Sequence, residues 1–267
     1  MAKLGRGRTA LVTGASAGIG RAFAQGLARR GLDVVLVARD KARLESLAAE
    51  LEACGVRAEV LAADLGQPSE LQRVEERLRS APTIDLLVNN AGLGSTGSFL
   101  DLPIAAAEMQ VRVNALAPTR LAHAALLGMR ERRSGGVIQI SSLATFTPSL
   151  HNAVYSATKA YLSTFSLTVA EDLRRAGVTV LCVYPGFTHS EFAQRASFDV
   201  SDVPRFLWQS AEAVVEESLR AYEAGRSFVV PGAHNKLAVA LTHLVPHSWQ
   251  GRLAGLLARV MPQKGPP

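Results

Sequence analysis

Cysteine is scarce: the 267-residue chain has two, Cys54 and Cys182. They lie far apart, form no Cys-x-x-Cys pair and join no Cys/His cluster, so neither a disulfide framework nor a metal site is signalled. Both read as buried thiols in a reducing compartment. Long apolar runs are also missing. None reaches the roughly 18 uninterrupted residues that a membrane-crossing helix needs. The nearest approach, residues 237–261, carries His243, Pro246, His247 and Arg252. That run reads as two amphipathic helices broken near Pro246 and packed on the body or on another subunit, with peripheral membrane contact as the competing reading. At the other end, a short basic leader runs straight into an apolar strand without a secretory-type apolar segment, which predicts a cytoplasmic protein. Aromatic residues make up only 6% of the chain and do not interleave with its basic residues. The net charge of +6 therefore does not suggest a nucleic-acid partner. Solvated helix faces and a polyanionic small-molecule ligand account for it better.

What the chain does contain is a regular alternation. Short apolar runs at 9–13, 33–38, 57–62, 84–88, 137–141, 178–184 and 227–230 have the continuous apolar character of strands covered on both faces. Helical spacing fills 19–30, 41–53, 70–80, 105–130, 154–175 and 211–224. Gly31, Gly55 and Gly177 stand where three of these helices should stop. This order predicts one α/β domain over 1–267, doubly wound, with a mostly parallel seven-stranded sheet and helices on both faces. Residues 188–208 interrupt the alternation and read as an excursion over the ligand-binding edge of the sheet. A helical extension follows at about 234–261.

The first strand runs into Thr13-Gly14-Ala15-Ser16-Ala17-Gly18-Ile19-Gly20, and a helix follows at once. Glycines between an apolar strand and an amphipathic helix let backbone N–H groups approach a pyrophosphate, which the positive helix end also favours. The alternative is a tight turn with no ligand. Further on, Tyr155 and Lys159 are four residues apart in a helical segment and share a face. A free tyrosine has a pKa near 10 and is a poor proton donor, and a neighbouring ammonium should lower that value. Ser142, at the end of the fifth strand, can hold a substrate oxygen beside Tyr155. A plain strand-end cap is the competing reading for this serine. Asn114 falls mid-helix, where asparagine is mildly unfavourable; an exposed helix asparagine is its bland reading.

With these residues, and with Asn89-Asn90-Ala91-Gly92 after the fourth strand, the chain resembles the short-chain dehydrogenase/reductase family of Rossmann-type enzymes from Thr9 to about Thr188. The resemblance implies a hydride-transferring oxidoreductase acting on a carbonyl or secondary alcohol, with Ser142, Tyr155, Lys159 and Asn114 as its catalytic group. It further implies that Asn114 holds a water of a proton relay. The implied dinucleotide contacts are Gly14, Ser16, Ala17, Gly18, Ile19, Gly20, Arg39, Asp64, Leu65, Asn90, Ala91, Gly92, Tyr155, Lys159, Pro185, Gly186 and Thr188. Asp64 would meet the adenine amine, with a helix-capping or loop aspartate as its competing reading.

Arg39, 19 residues after Gly20, stands where the second strand would meet the adenosine ribose, and Ala38 replaces the aspartate of NAD-linked relatives. An arginine there grips a 2′-phosphate, which predicts NADP(H) over NAD(H). Asp40 can turn back toward the ribose, and Ala17 departs from the basic residue that many NADP-linked relatives carry in the turn. The expected partner is a small-molecule carbonyl or alcohol. Leu143, Phe146, Leu150, Phe187, Phe192, Phe198, Phe206 and Trp208 would make its pocket apolar, favouring a hydrophobic ketone or acyl-type substrate. Family resemblance also implies a homodimer or homotetramer through the helices over 105–130 and 154–175. Against the reductase stand a non-catalytic dinucleotide-binding regulator, which would not need a proton donor; a membrane-associated lipid ketone reductase, which would need 237–261 to bind bilayers; and an NAD-linked alcohol dehydrogenase.

Overall fold

The computed structural model describes residues 4–146, 151–196, 198, 200–201 and 203–242. Seven strands, β1 (Thr9–Thr13), β2 (Asp33–Ala38), β3 (Ala58–Ala62), β4 (Leu86–Asn89), β5 (Gly136–Ile140), β6 (Thr179–Val183) and β7 (Phe228–Val229), form one sheet in the order β3-β2-β1-β4-β5-β6-β7. Every pair is parallel. Side chains alternate across a strand, and the sequence puts an apolar residue at nearly every position, so both faces are greasy. Ala10, Val12, Leu36, Val88 and Ile138 point into one core; Leu11, Val35, Val37, Leu87 and Val137 point into the other.

Helices α1 (Gly18–Arg29) and α2 (Lys41–Glu52) cover the first face. Helices α3 (Pro68–Arg79) and α5 (Ala117–Glu131) cover the second, reached through α4 (Ile104–Val111). Helix α6 (Ala153–Asp172) lies against the second face and brings Tyr155 and Lys159 to the end of β5. The short α7 (Phe192–Arg195), then α8 (Ala211–Glu223) and α9 (Ala233–Thr242), complete the described chain. Strand order reverses between β1 and β4, and the crevice beyond their carboxyl ends is where open sheets of this kind receive ligands.

The expected helix over 105–130 is not uniform. Residues Arg112–Leu116 form a π-helical turn between α4 and α5. The extra residue of such a turn rotates a side chain inward, and these turns gather at functional sites. Here Asn114 is the residue turned in, 1% exposed, which removes its reading as an exposed helix residue. Pro68 starts α3 two residues earlier than expected, suited to a first-turn position whose N–H has no partner anyway. Cys182 is buried in β6, but Cys54 is exposed in the turn after α2, correcting its reading as a buried thiol. The excursion over 188–208 contains α7 and a 3-10 turn at Arg205–Leu207. Of the run 237–261, the part up to Thr242 belongs to α9; the break at Pro246 and everything after it lie outside the described residues. No helix among the described residues is long and apolar enough to cross a membrane.

Candidate active site

The glycine turn is built around backbone that approaches backbone. Gly14 and Gly18 have φ of +66° and +53°, the left-handed region where glycine carries no penalty. A Cβ on Gly20 would stand 2.2 Å from the Gly14 carbonyl oxygen and 2.4 Å from Asn90 Nδ2, so only glycine fits. Asn90 stitches the turn to the end of β4: its Nδ2 donates to the Thr13 carbonyl at 2.9 Å and to the Gly14 carbonyl at 3.3 Å. The Thr13 hydroxyl accepts from the Asn90 and Ala91 amides at 2.9 and 3.0 Å and donates to the Val88 carbonyl. Sequence reasoning missed Thr13; a hydroxyl residue closing an otherwise apolar strand just before a glycine was the available signal.

Ala17 is the N-cap of α1, contributes no side-chain cap, and no acidic residue occupies the first turn. A helix start left without a carboxylate or hydroxyl presents its N–H donors and positive end to an anion. Together with the side-chain-free backbone of Gly14 and Gly18, this fits a dinucleotide pyrophosphate. At the corner where an adenosine ribose is expected, Arg39 is exposed at the end of β2. Asp40 does not turn back toward it: its Oδ1 accepts from the Arg43 N–H at 3.1 Å as the N-cap of α2. Asp64 Oδ1 accepts from the Gly66 N–H at 2.9 Å, and its own N–H donates to Glu70 Oε2, so the loop-capping reading of Asp64 is met in the structure. Leu65 beside it is buried.

The catalytic candidates converge one turn away. Ser142 leaves β5 in extended geometry, and its Oγ accepts from the Ala144 N–H at 3.2 Å. The capping reading of Ser142 is thus met, and the same hydroxyl lies near enough to the Tyr155 phenol to favour its ionisation. Ser141 faces away, donating to the Lys159 carbonyl at 2.9 Å. Lys159 Nζ donates to the Ile140 carbonyl at 2.8 Å and stands 5.7 Å from the centre of the Tyr155 ring. Asn114 Oδ1 accepts from the Leu93 N–H and its Nδ2 donates to the Leu93 carbonyl, both at 2.8 Å, while Nδ2 also reaches Thr158 Oγ1. Space at Gly92 is where these groups meet: a Cβ there would sit 3.4 Å from Asn114 Oδ1 and 3.5 Å from Lys159 Nζ.

Burial governs the electrostatics. Desolvation pushes the Tyr155 phenol above its ordinary value, only partly opposed by the neighbouring Ser142 hydroxyl. The lowering by a nearby ammonium, expected from the Tyr-x3-Lys spacing alone, does not prevail. The same desolvation brings Lys159 down to about 8, because a buried ammonium loses hydration that one backbone carbonyl does not replace. At neutral pH the phenol therefore carries its proton, beside a lysine that is still largely charged.

The apolar residues expected to line a pocket divide. Phe192 and Phe198 face Tyr155, with ring centres 5.7 and 6.1 Å away, and each other at 5.9 Å. Leu143 and Phe146 instead pack on the buried Cys182–Tyr184 cluster. Phe187 pairs with Trp208, which also stacks on His189, and Phe206 is 74% exposed. Leu150 lies outside the described residues. Pro185 accepts from the Leu143 N–H at 3.1 Å, which joins the ends of β5 and β6. The Thr188 hydroxyl donates to the Gly186 carbonyl, and Thr188 bridges to Gln209.

Comparison with known proteins bears on the family and fold of the chain. The family model for short chain dehydrogenases matches residues 8–200. An uncharacterized oxidoreductase of Myxococcus xanthus is 39% identical over 208 residues, covering 78% of this chain and 81% of that protein. Among solved structures, a short-chain dehydrogenase from Sphingobium yanoikuyae in complex with NADPH superposes with a TM-score of 0.82 at 33% identity, covering 97% of this chain and 98% of the other. A bulky-bulky ketone specific alcohol dehydrogenase from Comamonas testosteroni gives 0.77 at 33% identity, covering 90% and 96%. A model match across most of the chain and near-complete structural overlap lead to one assignment: the chain belongs to the short-chain dehydrogenase family and is an oxidoreductase.

Proposed function

We propose that the protein is an NADP(H)-dependent reductase of hydrophobic ketones or acyl-type carbonyls, working as a cytoplasmic homodimer or homotetramer with Tyr155 as general acid. The observation that carries this reading is Lys159 Nζ held by the Ile140 carbonyl 5.7 Å from the centre of the Tyr155 ring, at the strand end that also carries Ser142, next to a glycine turn that fits a pyrophosphate. When bound, the dinucleotide supplies the hydride to the carbonyl carbon, or accepts it in the reverse direction. The chain's own groups handle the oxygen. Ser142 holds it beside Tyr155, and the phenol, protonated because it is buried, gives up its proton as negative charge develops there. Lys159 then stabilises the phenolate that remains. Asn114 fixes Leu93, and with it the turn that carries Asn90 and Gly92, against Lys159. That positional task engages the side chain first proposed for a water relay.

Arg39 supports NADP(H): it stands exposed at the ribose corner while Asp40 is committed to capping α2. The NADPH complex of the Sphingobium relative points the same way. Phe192 and Phe198 over Tyr155 favour an apolar substrate, as does the ketone specificity of the Comamonas relative. The test is kcat/KM with NADPH and NADH across a panel of aliphatic, aromatic and polycyclic ketones, repeated for Arg39→Asp. NADPH should be preferred, and the variant should lower kcat/KM for NADPH about tenfold or more by losing charge-assisted bonds to the 2′-phosphate. Equal use of both cofactors before and after the substitution removes Arg39 from the assignment.

A further inference from the structure

We propose that Glu191 and Arg43 form a clasp that holds the segment after β6 over the cofactor cleft and so sets how long a bound dinucleotide stays. The proposal rests on the dinucleotide reading above and concerns residues that reading does not use. Arg43 lies in the first turn of α2, four residues beyond Arg39 at the adenosine corner. Glu191 lies just before α7, 148 residues away in sequence. Arg43 Nη1 donates to both carboxylate oxygens of Glu191, at 2.9 and 2.8 Å. Two further groups pre-set the pair. Asp40 caps the Arg43 N–H and approaches its Nε at 3.3 Å, and Arg195 Nη2 donates to Glu191 Oε2 at 2.5 Å. The result is a chain of alternating charge, Asp40–Arg43–Glu191–Arg195. Among the described residues it is the one ion-paired link between 188–208 and the rest of the molecule.

The clasp spans the site. Immediately before Glu191, Ser190 rests on the glycine turn, where a Cβ on Gly18 would stand 2.8 Å from Ser190 Cβ. Immediately after it, Phe192 reaches the Tyr155 ring. Further along, Ala196 is pinned: its carbonyl accepts from Thr96 Oγ1 at 3.2 Å, and its methyl group would lie 2.7 Å from a Cβ on Gly94. One stretch of eight residues (189 to 196) therefore runs from α2 across the phosphate turn to the catalytic tyrosine. A dinucleotide seated on Gly14–Gly20 would lie beneath it, and leaving would require this stretch to lift. Arg43 and Glu191 are each nearly half exposed. A simple exposed pair would contribute little, but several charges joined in a network are the case where such pairs count, and salt should weaken it.

The experiment is stopped-flow displacement of NADPH from the full chain, followed by nicotinamide fluorescence, with limited proteolysis as a second readout. Glu191→Gln should speed dissociation about fivefold, equivalent to about 1 kcal/mol. Arg43→Met should do the same, and the double variant should exceed neither single one, because each removes the same link. The wild-type rate should rise more steeply with ionic strength than the Glu191→Gln rate, which keeps only the salt dependence of the cofactor's own phosphate contacts, and cleavage near 191 should quicken in the variants. Unchanged dissociation rates in variants of a chain that binds NADPH overturn the clasp alone. Tighter NADPH binding by Glu191→Gln also overturns it, since Glu191 would then be withholding Arg43 from the 2′-phosphate. A wild-type chain that binds neither NADPH nor NADH overturns the clasp together with the dinucleotide reading.

Discussion

The two walls of the cleft are built by different means. On the cofactor side, Thr13, Gly14, Gly20 and Asn90 are joined by hydrogen bonds between side chains and backbone and by contacts so close that glycine alone fits. On the substrate side, the described part of 188–208 is held by aromatic packing, a short backbone bridge from Thr188 and His189 to Gln209, threonine hydrogen bonds at Thr96 and Thr188, and an exposed ion-pair chain. The first wall is over-determined and tolerates almost no change. The second depends on contacts that are individually weak, and so it can differ between relatives without loss of the fold. This contrast also explains why the reaction class follows from the motifs while the substrate does not.

Substitutions on either wall test whether the two differ in this way. The largest effect should come from Gly20→Ala. Its new methyl group would overlap the Gly14 carbonyl oxygen, and backbone cannot swing aside as a side chain can, so overpacking of at least about 1–3 kcal/mol is expected. Thermal melting should fall by several degrees and NADPH binding should be lost; an unaltered Tm and Kd would show the turn to be as pliable as the opposite wall.

A second effect is pH-dependent. With Lys159 at about 8, carbonyl reduction should decline as pH rises through that value, because the deprotonated lysine no longer stabilises the phenolate. Stability should move the other way. The unfolded chain holds this proton up to the ordinary value of 10.5 while the folded chain releases it near 8. Between those values the unfolded state binds more protons, so stability rises with pH. Lys159→Met should abolish both trends, and a kcat profile that stays level to pH 10 would contradict the role.

The smallest effect should be that of Phe192→Ala on the soft wall. It removes one of two rings facing Tyr155 and should shift the ratio of kcat/KM for bulky over compact ketones by about threefold to tenfold, with NADPH affinity nearly unchanged. A loss as large as that from Gly20→Ala would erase the distinction between the walls.

Much of the cofactor wall was readable from residues alone, because its chemistry is local. Gly14, Gly18 and Gly20 sit between a strand and a helix, and Tyr155 and Lys159 share one helical face. The parallel sheet was equally readable, since continuous apolar runs separated by amphipathic helices leave few other arrangements. What the sequence concealed depends on contacts between distant segments or on burial. The π turn at Asn114 left only a faint local sign, an asparagine mildly unfavourable in a helix, and that residue type does not specify such a turn. Nothing in the spacing of Tyr155 and Lys159 shows that both are desolvated enough to reverse the expected direction at the phenol. Nor could composition reveal that Phe187 and Trp208 pack on each other while Phe192 and Phe198 turn toward Tyr155, or that Glu191 meets Arg43.

The central claim is that Tyr155 delivers a proton. It is tested most directly by measuring ketone reduction and NADPH affinity together in Tyr155→Phe, which keeps the ring and removes only the hydroxyl. The account predicts a fall in kcat of about 10²–10⁴-fold with the Kd for NADPH within about twofold of the wild type. Reduction at the wild-type rate by that variant would contradict it.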